Sequence, residues 1–378
     1  MKDKVKNNGI VIGIILLTIL VVTGFQSYGV KKYSRYSTDT LHYEKGTVVE
    51  VSSEDVEYKE SLGIYLGRQV LQVKMTEGED KGKTIEIINH LVNSHSVYAK
   101  KNSRLIITAD RPENIEPYYT VYNYDRSVPS ICGLGILVVA ICAIGGVKGA
   151  KAITGLVYSM YLIVGLVIPA VYSGYSPITF SIICAALSTT VTLLLLNGQS
   201  KKTLAAILAT VSGVIGSLIL FIILSNILHI NGSSSSEAEG LILIQQETGL
   251  QIKDVLFAGV LISSLGAIMD VGMSIVSALH EVYYRNPNLT VRELIDSGLE
   301  IGKDMIGTMT NTLILAFTGS AFVTLLVFVS YQVQFHQLLS SNYLAIEIAQ
   351  GICGTFGVVI TVPAASIISA YLLSKKNL

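Results

Sequence analysis

One carboxyl group lies deep inside an apolar part of this 378-residue chain. Asp270 follows the apolar run 255–265 and precedes a second apolar run at 271–279. A charge at the centre of a bilayer costs about 2.5–3.5 kcal/mol on insertion scales, so such a residue usually faces the interior of a helix bundle. At helical spacing, Asp270 shares one face with Ser263, Gly266, Ser274, Ser277 and Glu281. The spacing therefore predicts a polar stripe along one helix.

The next apolar segment carries a matching stripe. Its polar residues at helical spacing are Asp304, Thr308, Asn311 and Thr318, with Thr312 beside them. Two consecutive antiparallel helices would bring Asn311 and the threonines close to Asp270. A buried carboxyl with hydroxyl and amide partners can take up and release a proton, which is the chemistry of a proton relay. The alternative is structural: a permanently protonated Asp270 would donate a hydrogen bond between helices.

Other chemistry finds little support in the sequence. We see no phosphate-binding loop, nucleophile elbow, zinc-protease helix or dinucleotide loop, so no cofactor, metal or catalytic residue is predicted. The four cysteines lie in apolar runs and do not form a disulfide framework. The net charge is zero, which gives no indication of a nucleic-acid partner. Glycines at 351, 354 and 357 favour close helix packing or a kink, with a substrate path as the alternative.

The composition is that of a membrane protein. Apolar residues make up 51% of the chain and charged residues only 14%. Several apolar runs reach the roughly 20 residues that a helix needs to cross a bilayer. They predict eight membrane-spanning helices, and we interpret the first as an uncleaved signal-anchor. The predicted spans are 9–25, 129–147, 152–171, 178–196, 204–228, 255–279, 305–330 and 348–373.

The only long polar segment follows the first span. It contains short runs of alternating apolar residues, and the sequence at 78–82 is typical of a hairpin turn. These runs predict a small all-β barrel of OB-like or SH3-like type. We expect Tyr118, Tyr119, Tyr122 and Tyr124, in the connector that follows, to form part of an interfacial aromatic belt.

Three regions are therefore predicted. Residues 1–27 form the N-terminus and signal-anchor, 28–127 form the β domain with its connector, and 128–378 form a seven-helix bundle. A protein partner is expected to bind at the β domain, and lipid surrounds the helices. The sequence is also compatible with assembly into a homo-oligomer.

The loop charges predict an orientation. Positive residues are expected in cytoplasmic loops, and here they occur in alternate loops. These loops carry Lys148, Lys151, Lys201, Lys202, Arg285, Arg292 and Lys303, whereas the other short loops carry only Lys253. Both termini are thus predicted to be cytoplasmic and the β domain extracytoplasmic.

In the loop 281–304, Thr290 and Glu293 form a capping-box pattern that predicts a short helix, and a second short helix is expected at 237–246.

Three segments resemble the YibE/F family of bacterial multi-pass membrane proteins. They are residues 82–91, 265–274 and 302–313. The order of N-terminal span, external domain and helix bundle also agrees, over essentially the whole chain. The resemblance implies a topology in a bacterial plasma membrane and no particular reaction. Family members often have two adjacent acids where this chain has Met269 and Asp270, so a paired carboxylate is not implied here.

A shorter resemblance concerns the sixth and seventh predicted spans. Gly266 and Asp270, followed by Glu281, Gly298, Ile306 and Thr312, are similar to the signature of SecD and related RND-type proton-driven exporters. In those proteins an intramembrane Asp takes part in proton coupling. This chain departs from them in its eight predicted spans and its small external domain.

The leading hypothesis is therefore a transport or export-related membrane protein, proton-coupled through Asp270 with Ser274, Asn311 and Thr312 as partners. The alternative is a non-transporting scaffold or accessory protein whose external β domain binds a partner. An intramembrane enzyme is disfavoured, because no nucleophile–base pair or metal ligand set is visible.

Overall fold

The computed structural model describes residues 2–30, 40–230 and 238–374. These residues fall into two compact units. We call the first the β unit; it contains a five-stranded sheet and extends to residue 140. The second, the helix unit, contains the remaining helical residues, and it holds the candidate site.

The β unit is built on one antiparallel sheet. Its strands are β1 (Leu41–Lys59), β2 (Ile64–Met75), β3 (Thr84–Leu91), β4 (Arg104–Asp110) and β5 (Tyr118–Tyr124), in the order β3-β2-β1-β4-β5. Irregular pairing after Val48 and after Val51 bends the long strand β1. The sheet curls so that its edge strands β3 and β5 approach each other.

Alternating side chains fill the concave face of this sheet. Val48, Leu71, Val73, Leu105 and Ile107 are completely buried, as period-two alternation requires. Strands β1 to β4 contain the short runs of alternating apolar residues that the sequence showed after the first span. The fifth lies in the expected connector, so the tyrosines assigned to an interfacial belt form β5, where the Tyr124 hydroxyl donates to the carbonyl of Tyr98 at 2.6 Å.

Two buried amide side chains hold the irregular segment between β3 and β4. Gln69 Nε2 donates to the carbonyl of Ala99 at 3.0 Å, and the Ala99 N–H donates back to Gln69 Oε1 at 3.0 Å. Asn89 Nδ2 donates to the carbonyl of Val97 at 2.8 Å. Side chains thus supply the hydrogen bonds that a regular strand would obtain from backbone pairing.

An ion network fastens the 78–82 turn to the sheet. Arg111 donates to both carboxylate oxygens of Glu44, at 2.7 and 3.1 Å, and to Asp80 at 2.8 Å. Tyr119 also donates to Asp80, at 2.5 Å. The guanidinium of Arg111, with further contributions from Lys83 and Tyr119, holds the pKa of the Asp80 carboxyl well below its usual range.

The helices account for most of the chain. They are α1 (Lys2–Tyr28), α2 (Ser127–Leu162), α3 (Ile168–Tyr172), α4 (Pro177–Asn197), α5 (Lys201–Ile227), α6 (Ala238–Thr248), α7 (Ile252–Arg285), α8 (Val291–Ser330), α9 (Phe335–Leu339) and α10 (Asn342–Ser374). A π-helical turn, Ile163–Val167, joins α2 to α3. Among the described residues, seven helical stretches are long and apolar enough to cross a membrane.

The predicted second and third spans share one of these stretches, Ser127–Tyr172. Its helix is interrupted at Gly146, whose φ of 55° and ψ of −135° are rare for residues with a Cβ. A Cβ on Gly149 would lie 2.3 Å from the carbonyl oxygen of Ile141. In a straight helix these two residues would be about 12 Å apart along the axis, so the chain bends sharply at this point.

Close backbone approaches form the core of the helix unit. A Cβ on Gly213 of α5 would lie 2.0 Å from Thr361 Oγ1 and 2.8 Å from the carbonyl oxygen of Gly357, both on α10. A Cβ on Gly354 would lie 3.1 Å from Ser264 Cβ on α7. Two of the three glycines in the 351–357 pattern therefore permit close packing, as the sequence predicted.

The loops differ from expectation in one respect. The capping box of Thr290 and Glu293 is present, but it begins the 40-residue helix α8 and not a separate short helix. The short helix predicted at 237–246 is observed as Ala238–Thr248; residue 237 lies outside the described residues.

Candidate functional site

Asp270 lies near the middle of α7, in the helix unit. The face of α7 that packs into the core carries completely buried residues such as Ile268, Val271 and Ile275. Asp270 lies on the opposite face and is exposed. Its carboxyl therefore points away from the helices that surround the rest of α7.

The predicted stripe of α7 is observed as an exposed face. Ser263, Gly266 and Ser274 are exposed with Asp270, and Ser277 is half-buried at the edge. A Cβ on Gly266 would meet no atom within 4 Å. The hydroxyls of Ser263 and Ser277 donate to the carbonyls of Val260 and Met273 on their own helix. These two serines therefore offer lone pairs, and not donors, to whatever lies beside the stripe.

The stripe of α8 is also exposed. Thr308, Asn311 and Thr312 all have exposed side chains. The Thr312 hydroxyl donates to the carbonyl of Thr308 at 2.9 Å, and the Thr308 hydroxyl is bonded within α8 in the same way. Asn311 keeps an amide with both donor and acceptor groups at this surface.

Helices α7 and α8 are neighbours, with Leu279 of α7 packed beside Gly298 of α8. Counting nine residues along each of these antiparallel helices from this contact leads to Asp270 on α7 and to Gly307 on α8. Asp270 and Thr308 thus lie at a similar height. No hydrogen bond joins the Asp270 carboxyl to any group in the described ranges, so the structure does not bring it into contact with Thr308, Asn311 or Thr312.

The carboxyl of Asp270 thus lies in the middle of an apolar helix, on a surface that also carries exposed hydroxyl and amide groups. It has no hydrogen-bond partner within the described chain. This arrangement suits binding and release of a proton or small cation more than covalent chemistry. Among the residues that the structure describes, no group of three His, Cys, Asp or Glu side chains could hold a metal ion.

Comparison with known proteins identifies the family. Residues 133–375 match the family described as YibE/F-like protein. The chain belongs to the YibE/F-like protein family. The matched range contains both helical segments that carry the resemblance, at 265–274 and 302–313, and begins after the last strand of the sheet, β5. No curated protein and no solved structure matches the chain.

The structure also contains a groove that the sequence did not predict, between α8 and α10. It has a volume of about 440 Å³ and is lined by apolar side chains together with Thr318, Thr355 and Glu347. Gly351, which lines the groove, was the one available signal, through the alternative that the glycine pattern marks a substrate path.

Proposed function

We propose that this membrane protein transports a substrate across the membrane, coupled to proton movement through Asp270. The observation that carries the proposal is the exposed position of Asp270 in the middle of α7, with no hydrogen bond inside the described chain. A carboxylate in hydrocarbon is costly. Asp270 would therefore be protonated when it faces lipid and ionised when it faces water, and a coupling group needs this difference.

The structural alternative requires a partner for Asp270. A protonated Asp that holds two helices together would donate its hydrogen bond to a neighbouring helix of the same chain. The described chain offers no such acceptor at hydrogen-bond distance. This favours a role in which the partner is transient, such as water or substrate, or belongs to a second copy of the chain.

The surroundings of Asp270 support a polar path. Ser263 and Ser274 extend the exposed face along α7, and Thr308, Asn311 and Thr312 lie exposed on the adjacent helix. In the assembled protein, we propose that a second copy covers these faces and encloses them as a water-accessible route. The resemblance of this helix pair to RND-type exporters supports the same role for Asp270.

We further propose eight spans in a bacterial plasma membrane. The stretch Ser127–Tyr172 would be about 69 Å long as one straight helix, more than twice the roughly 30 Å hydrocarbon core. The break at Gly146 supports two crossings, followed by Lys148 and Lys151 in a cytoplasmic turn. An even number of spans leaves both termini cytoplasmic, with the β domain, which we take to be OB-like or SH3-like, outside.

A second candidate function is a scaffold whose β unit binds a partner. The observation in its favour is a cleft of about 460 Å³ lined partly by tyrosines. Tyr65 and Tyr98 stack there with ring centroids 4.0 Å apart, and Lys100 Nζ lies 5.8 Å from the Tyr98 ring. Stacked aromatic rings beside a cation are typical of binding surfaces.

Proton flux into liposomes tests the leading proposal. The full-length protein with Asp270→Asn should lose flux, whereas Asp254→Asn, the same change in the first turn of α7, should retain it. Both variants should reach the membrane at normal levels. Full flux in Asp270→Asn would contradict proton coupling through this residue.

A further variant separates the two candidate functions. If the protein is a scaffold, Tyr98→Ala should abolish its cellular function while Asp270→Asn leaves it intact. If it is a proton-coupled transporter, the sensitivities should be reversed.

A further inference from the structure

The groove between α8 and α10 has a floor of small residues and an open, apolar rim. Ala321 of α8, at its floor, is 3% exposed, whereas Ile314, Ile348 and Ile352 at its rim are 40–47% exposed. A Cβ on Gly351 would have only Phe317 nearby, at 3.9 Å. Its volume of about 440 Å³ lies within the usual 300–1,000 Å³ range of small-molecule sites, which often lie between helices of a bundle.

The charged part of this groove lies at one end. Among the described residues that line the groove, only Glu347 is charged, and it lies five residues after the start of α10. Leu325, which lines the groove from α8, lies five residues before that helix ends. Both helices terminate near this end of the groove, and the ends of membrane-spanning helices commonly lie near the level of the lipid headgroups.

The length of the groove matches one leaflet. From Glu347 to Val359 along α10 is twelve residues, or about 18 Å. Half of a 30 Å hydrocarbon core is about 15 Å. The groove thus offers an apolar channel for one acyl chain and an anionic group where that chain's headgroup would lie.

We propose that this groove binds a bilayer lipid, with an acyl chain along α8 and α10 and an ammonium headgroup paired with Glu347. Charge complementarity selects the headgroup, because a carboxylate favours a cation and repels an anionic lipid. The leaflet-length match selects an amphiphile with a long acyl chain, and the bilayer supplies lipids of this kind at high local concentration. Asp270 is not part of the groove, so the inference does not depend on proton coupling.

Tryptophan fluorescence gives a direct test, because the chain contains no Trp. Phe356 lines the groove, and Phe356→Trp in the full-length protein would provide a single local probe. The protein is reconstituted in unlabelled phosphatidylglycerol and titrated with acyl-brominated lipid, either phosphatidylethanolamine or phosphatidylglycerol. We expect half-maximal quenching at an about threefold lower fraction of brominated phosphatidylethanolamine, a preference of the size expected for an interfacial ion pair.

Variants in the same background separate the charge from the cavity. Glu347→Gln should abolish the headgroup preference while leaving quenching in place. Gly351→Leu should fill the groove and weaken quenching by both lipids. Gly319→Leu is the matched control, since Gly319 is exposed on α8, outside the groove lining, and a Cβ there would meet no atom within 4 Å.

Three outcomes would overturn the proposal. The first is equal quenching by both lipids with Glu347 intact. The second is quenching in Gly351→Leu that matches Gly319→Leu. The third is half-maximal quenching by a brominated alkylammonium detergent at a lower fraction than by brominated phosphatidylethanolamine, which would identify the groove as a site for free amphiphiles.

Discussion

At the scale of single residues, Arg111 connects three parts of the β unit. Its partners Glu44 and Asp80 lie on β1 and in the 78–82 turn. Glu44 is only 6% exposed, so Arg111→Met would leave a buried carboxylate without its counter-charge. We expect this change to lower the free energy of unfolding of the β unit by about 3–5 kcal/mol. Faster hydrogen exchange of the β1 and β4 amides in the full-length protein would measure the loss.

The control for Arg111 removes both charges. In Glu44→Met with Arg111→Met no unpaired carboxylate remains at position 44, and apolar replacements of a buried ion pair are often tolerated. Exchange in this double variant should be slower than in the single variant. If the two exchange equally fast, the ion pair is not what stabilises this part of the sheet.

The polar residues around Asp270 show how far residue-level prediction reached. Helical spacing correctly predicted that Ser263, Gly266 and Ser274 share a face with Asp270, because that follows from the geometry of a single helix. Whether this face meets α8 depends on tertiary packing. Small residues of α8, such as Gly298 and Gly302, direct that helix against Ser366 and Val362 of α10, and no pattern of polar residues reveals this.

At the scale of elements, α5 and α10 should tolerate no added volume where they cross. A Cβ on Gly213 would lie 2.8 Å from the Gly357 carbonyl oxygen, which is backbone and cannot rotate away. We expect Gly213→Ala to destabilise the helix unit by about 1–3 kcal/mol. The measurement is the temperature at which the detergent-solubilised protein loses monodispersity.

The matched control for this crossing is Gly319→Ala on α8. Gly319 is exposed and has open space around it, and Ala has the higher helix propensity. The control should be unchanged or slightly more stable. A Gly213→Ala variant as stable as this control would show that the crossing can relax.

Hydropathy predicted the apolar cores of the helices but not their ends. The predicted seventh span began only at residue 305, because the charged residues between Glu293 and Asp304 are unfavourable in lipid. The helix nevertheless begins at Val291, since a helix can continue into water.

In the β unit, Tyr118–Tyr124 was missed as a strand because its tyrosines were attributed to the interface. The amide clamp of Gln69 and Asn89 depends on a fold that no local pattern specifies.

At the scale of the whole molecule, the positive loops of the helix unit meet at one end. Lys201, at the start of α5, donates to the carbonyl of Leu372 near the end of α10, at 3.1 Å. Lys148 and Glu281 both interact electrostatically with Lys202. The turn after Gly146, the start of α5 and the end of α7 are therefore neighbours, and a single membrane face can contain all of these cations.

This clustering leads to a topology prediction that separates eight spans from seven. We expect reporters at the N-terminus, after residue 150 and at the C-terminus to fluoresce as fusions to a protein that matures only in the cytoplasm. A reporter in the 78–82 turn should be inactive in that assay, but active as alkaline phosphatase, which requires the outside. If Ser127–Tyr172 crossed only once, the total would be odd and the two termini would report opposite sides. That result would contradict the hairpin that the bend at Gly146 and the close approach of Gly149 to Ile141 support.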